Sequence, residues 1–157
     1  MKVLPAAALA SALALGHAGA HALGASLSYN SFAVADAVTS VTLCGNRSAG
    51  RNKPAQPYRV VAGEYSGQSV LFVQWMNPPD EATNGRPVVA HTLGIAELNN
   101  DHAEILLRNL RCTAKGQGIV LSADVDFGHE DKPRRRRMQL SVGPALDKYQ
   151  IRFTPPL

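Results

Sequence analysis

The sequence predicts an all-β fold, a single antiparallel β-sandwich or small β-barrel of about seven to nine strands with one disulfide. Three observations carry this. Ile119, Leu121, Ala123, Val125 and Phe127 alternate with Val120, Ser122, Asp124 and Asp126, the period of two that marks a half-buried strand. Short β-branched and aromatic runs recur along the chain between clusters of Gly, Pro and Asn, the punctuation of hairpins. The chain holds 2 cysteines, Cys44 and Cys112, and an even pair in an oxidising compartment forms a disulfide.

The compartment follows from the N-terminus. Met1-Lys2 is a short basic start, and Val3 to Gly16 is almost wholly apolar. Ala18-Gly19-Ala20 and Ala20-His21-Ala22 both have the small-x-small form of a cleavage site. This pattern predicts a secretory signal peptide over 1–22, with 23–157 as a single β-rich domain. The apolar run is short for a membrane span, and no later stretch matches it, so no transmembrane segment is expected after cleavage. The Ala-rich leader and the excess of arginine over lysine point to a GC-rich bacterial genome, and thus to a periplasmic or secreted protein. A formal net charge of +4 is too small a surplus to indicate a nucleic-acid partner, and export argues against one independently.

Taken in order, Val38 to Cys44 is rich in β-branched residues and predicts a strand, with Phe32 to Val38 reading as one helical turn. Gly45 to Pro57 is a polar loop. Tyr58 to Gly63 alternates, Glu64 to Gln68 turns, and Ser69 to Met76 is apolar on both faces. That last run predicts a central strand covered on both sides, with Trp75 as a core anchor. Asn77 to Pro87 is a long turn, since Pro78, Pro79 and Pro87 exclude pairing and Asn84-Gly85 favours a tight turn. Val88 to Leu98 predicts a strand broken by Gly94, and Asn99 to Asp101 turns the chain back. Ile105 to Cys112 and Ile119 to Phe127 then form a hairpin through Lys115 to Gly118. Gly128 to Arg137 is a charged connection. Met138 to Val142 and Lys148 to Phe153 complete the set as alternating strands.

The chemistry-bearing residues give no catalytic constellation. Asp124 and Asp126 share one strand face, roughly 6.6–6.8 Å apart along the backbone. Glycosidase carboxylates flank a cleft, however, so these acids are expected to face solvent and to balance the nearby arginines. Asp124 to Arg135 fails the EF-hand template, because Gly128 stands at its fifth position and Arg135 where a bidentate Glu is required. His91, His102 and His129 lack metal-ligand spacing. No nucleophile elbow, phosphate loop or dinucleotide fingerprint occurs. No enzyme activity, cofactor or metal is expected.

One feature is extreme: Lys132-Pro133-Arg134-Arg135-Arg136-Arg137. Adjacent arginines repel one another and are expected to be exposed. Their forked guanidinium groups suit phosphate and carboxylate, which makes Arg134, Arg135, Arg136 and Arg137 candidate contacts for an anionic surface. Ser66-Gly67, at a hairpin tip, is a second candidate. Together with Thr113-Ala114-Lys115-Gly116 it resembles the loop tips that bacterial lysozyme inhibitors, small disulfide-linked periplasmic β-proteins, present to their enzyme. The resemblance covers six residues.

The expected function is a non-enzymatic binding or accessory module of the bacterial periplasm or exterior. It would contact a protein or an anionic envelope component through loops 77–87 and 128–137, because rigid β-scaffolds carry function on loops. The alternative is an inhibitor or immunity-type protein that blocks a cell-wall hydrolase with the Ser66-Gly67 hairpin. A third reading, assembly by strand exchange, rests on the alternating run from Lys148 to Phe153.

Overall fold

The computed structural model describes residues 27–34, 37–48, 54–100, 102–128 and 135–155. The expected signal peptide and the stretch from His129 to Arg134 lie outside these residues. Among the described residues, eight strands form two antiparallel sheets. The first holds β1 (Val38–Arg47), β2 (Gln56–Tyr65), β3 (Gln68–Asn77) and β4 (Val88–Gly94). The second holds β5 (Ile105–Lys115), β6 (Gly118–Phe127), β7 (Arg136–Val142) and β8 (Tyr149–Thr154). Within each sheet the strands lie side by side in chain order, so both sheets are plain meanders. They stack as a sandwich.

Alternation along the strands builds the core. Tyr58, Leu71, Val73 and Trp75 from the first sheet meet Leu121, Val125, Met138 and Leu140 from the second, all of them buried. Trp75 is the expected anchor, with Tyr58 and His91 packed edge-on against it at 5.6 and 5.4 Å between ring centroids. Strand β3 is covered on both faces, as its two-sided apolar pattern predicts. Its Val70 and Phe72 face away from the second sheet, into a separate cluster with Val61 and Phe32. Phe32 comes from α1 (Tyr29–Val34) and stacks on Phe72 at 5.3 Å. The helical turn thus falls earlier than the sequence suggested. Ser28 fixes its start: its Oγ accepts the Ser31 amide at 3.2 Å and its carbonyl the Phe32 amide at 3.1 Å, as an N-cap residue does.

Two further boundaries differ from expectation. Strand β1 continues to Arg47, where a loop was expected, and the Arg47 guanidinium donates to the Met76 carbonyl at 3.2 Å. Strand β4 ends at Gly94 rather than running on to Leu98. The reason is Asn99, which is fully buried: its Oδ1 accepts the Leu71 amide at 2.8 Å and its Nδ2 donates to the Leu71 carbonyl at 3.0 Å. One side-chain amide thus takes the place of a neighbouring strand.

Several ties hold the sheets together. Cys44 in β1 and Cys112 in β5 form the expected disulfide, with Cα atoms 6.2 Å apart and a sequence separation of 68. Closing a loop of that length stabilises the chain by about 4 kcal/mol in the chain-entropy model. The Tyr58 hydroxyl donates to the carbonyls of Gln117 (2.7 Å) and Gly143 (3.1 Å) in the opposite sheet's turns. Burial raises the pKa of this hydroxyl, and the Arg47 charge opposes the rise. His91 Nε2 lies 2.6 Å from Asp147 Oδ1, joining β4 to the β7–β8 turn.

The registers also fix which loops share an end. Tyr58 of β2 and Asn77 of β3 lie at the end where the β5–β6 and β7–β8 turns emerge. The Ser66-Gly67 turn emerges at the other end, where Gln68 bonds Asn100 and Glu104, and where the amide of Gly128 reaches the Glu104 carbonyl. The β6–β7 connection leaves from that second end.

Candidate anion-binding face

The arginine run does not form a single loop. Arg134 lies outside the described residues, Arg135 directly precedes β7, and Arg136 and Arg137 are the first residues of that strand. Alternation then separates them. Arg136 shares the parity of Met138, Leu140 and Val142; it is half-buried, with its guanidinium carbon 5.0 Å from the centroid of the Phe127 ring. This corrects the expectation of uniform exposure: Arg136 covers the end of the core with its stem and stacks its charge on an aromatic face. Arg137 points the other way and is exposed. The signal was present in the sequence, because the pattern of Met138, Leu140 and Val142 extends backwards to Arg136.

Arg137 lies on the outer face of the second sheet, and two arginines that the run does not contain join it there. The ladder places Arg111, Ser122, Gln139 and Arg152 in one row across all four strands. Asp124, Arg137 and Thr154 form the next row. Arg111 and Arg152 stand at the two edges, three strand spacings or about 14 Å apart at the backbone. Arg137 is a diagonal neighbour of Arg152, roughly 7–8 Å away.

A β-bulge makes this face possible. Between Arg108 and Arg111, β5 carries one residue more than β6, and Asn109 has a φ of +55°. In a regular strand Arg108 and Arg111 would point to opposite faces. The bulge puts both on the outer one, as such insertions re-aim side chains. It also turns Asn109 Nδ2 to donate to Asp124 Oδ2 at 2.7 Å.

Charge is distributed unevenly over the face. Asp126 accepts from Arg108 Nε at 2.9 Å and lies 4.0 Å from Arg135 Nε. Both acids are thus engaged, and Asp126 partly balances the run as the sequence suggested. Arg111, Arg137 and Arg152, all exposed, have no ion-pair partner among the described residues. Between Arg111 and Arg137 lies a shallow depression of about 380 Å³ lined by these two with Asn109, Ser122, Asp124 and Gln139. A second, of about 230 Å³, continues it past Asp124 and Arg137 to Arg135 and Pro155. Together they form a polar track with guanidinium groups on its rims.

The other candidates fall elsewhere. Ser66 and Gly67 form the two-residue tip between β2 and β3, with φ of +51° and +80°, the left-handed pair of a type I′ turn. Both are exposed, and they share an end with the β6–β7 connection. Loop 77–87 lies at the opposite end, where Asp80 and Thr83 hold it through reciprocal bonds of 2.9 and 3.0 Å. Gly128 and Arg135, the described residues on either side of 129–134, thus belong to the end of the sandwich opposite loop 77–87. The Lys115-Gly116 tip is likewise remote from Ser66-Gly67. Among the described residues no group of three or more His, Cys, Asp or Glu could hold a metal ion, and no helix is long and apolar enough to cross a membrane. Comparison with protein-family models, with curated proteins and with solved structures finds no match.

Proposed function

We propose that the chain is an exported, non-enzymatic binding module of the bacterial periplasm or exterior, and that the outer face of its second sheet holds an anionic envelope component or an acidic partner. One observation carries this reading: Arg111, Arg137 and Arg152 converge from three strands onto one open face and lack ion-pair partners among the described residues. Unpaired guanidinium groups on a rigid sheet lose little freedom when they engage phosphate or carboxylate. The spread of about 14 Å suits a chain or surface of repeated charge better than a single small anion. Replacing all three by Gln is expected to abolish binding to a phosphate-bearing surface while leaving the melting temperature unchanged. Undiminished binding would overturn the proposal.

A second reading rests on the exposed Ser66-Gly67 tip. A Cβ built on Gly67 meets nothing within 4 Å, so the tip is free to enter a cleft. In that reading the protein blocks a cell-wall hydrolase, and stoichiometric inhibition should vanish on Ser66→Trp.

A further inference from the structure

Among the described residues, strand β1 is the terminal strand of the first sheet and pairs with β2 alone. Val38, Val41 and Leu43 on it are 38%, 48% and 64% exposed. A bulge at Thr39 brings all three to one face: Val38 pairs with Gly63, Val41 with Val61, and Leu43 with Arg59. An edge strand presents unpaired amides and carbonyls, and soluble proteins ordinarily guard such edges with charge or proline. Residues 37–46 contain neither. The other edges are guarded: β5 carries Arg108, Arg111 and Lys115, β8 carries Arg152, and β4 is shorter and follows Pro87. The C-terminal run from Lys148 to Phe153, which alternation alone suggested for strand exchange, is therefore a poorer edge for pairing than β1.

We infer that β1 pairs antiparallel with β1 of a second copy of this chain, about a two-fold axis through Val41. Antiparallel pairing sets residues of the same face opposite one another. With the axis at Val41, that residue meets its own counterpart, and Leu43 falls against the second copy's Val38–Thr39 bulge. The apolar ridge is thus complementary to itself, as a two-fold interface requires. The absence of charge on 37–46 lets two net-positive chains approach there. The two first sheets would join into one sheet of eight strands, leaving the arginine faces of both second sheets open.

Sedimentation velocity of the purified protein over a range of concentrations tests this. The expected result is a monomer–dimer equilibrium that Val41→Lys weakens by roughly 100-fold or more, since it sets like charges directly opposite. Val41 is exposed, so at concentrations where the wild type is monomeric this variant should melt with it. Under mild oxidation Val41→Cys should cross-link into a dimer. Leu43→Cys should not, because its Cα atoms would be roughly 14 Å apart across the axis, beyond disulfide reach. A monomer at every concentration would overturn the inference. So would a dimer indifferent to Val41→Lys, or cross-linking through Cys at 43.

Discussion

Arg137 stands directly across from Asp124 in the β6–β7 ladder, yet the Asp124 carboxylate takes its hydrogen bond from Asn109 and not from Arg137. A pairing that would neutralise both charges is replaced by a neutral donor placed by the β5 bulge. Arg137 is left to face solvent beside Arg152, and that single substitution of partners turns an ordinary polar sheet face into one with charge to offer.

Asp124→Asn is expected to strengthen anion binding. It removes the negative charge between Arg108 and Arg137 while an oxygen remains for the Asn109 amide. A partly exposed charge of this kind is worth a few tenths to 1 kcal/mol, so titration with a phosphate-bearing glycan should show the dissociation constant falling about two- to five-fold.

Gly63→Ala is expected to destabilise the fold by about 1–3 kcal/mol, as overpacking does. A Cβ there would overlap the Ala37 carbonyl and come within 2.7 Å of the Phe32 ring, so α1 and the chain entering β1 would have to move. Gly143→Ala is the comparison. Nothing lies within 4 Å of its Cβ position, and its urea midpoint should match the wild type within about 0.5 kcal/mol.

The strands, the two-sided cover of β3, the anchoring Trp75 and the disulfide follow from alternation, composition and an even pair of cysteines, which can be read directly from the chain. The anion face was only partly legible. Arg137 could be assigned outward by extending the Met138–Leu140 alternation. Placing Arg111 and Arg152 in its company requires the register of four strands and a bulge whose one extra residue reverses the parity of β5. No alternation between Ile105 and Lys115 marks that bulge, and the partner of Asn109, Asp124, is brought to it only by the register with β6.

Alkaline stability should depend on Tyr149. Its hydroxyl donates to Glu97 at 2.7 Å, and burial, together with this bond, pushes its pKa up to about 12. The unfolded chain ionises nearer 10. Stability from this group is therefore fully present below about pH 10 and declines towards pH 12, as the unfolded state loses its proton first. Urea unfolding at successive pH values should show a shallower alkaline decline in Tyr149→Phe. Equal declines in the two proteins would refute the assignment.

In the proposed binding mode, position on the face, rather than net charge, determines anion binding. Retention on phosphocellulose over a salt series distinguishes the two, since exposed contacts weaken as salt screens them. Three proteins are compared: the wild type, the Arg111, Arg137 and Arg152 triple Gln variant, and a variant with Gln at Arg86, Lys115 and Lys148. The two variants lose the same charge. If the face binds, the first elutes at clearly lower salt and the second stays close to the wild type. If the two variants elute together, the protein responds to the matrix through net charge alone, and the outer face of the second sheet is not a binding site.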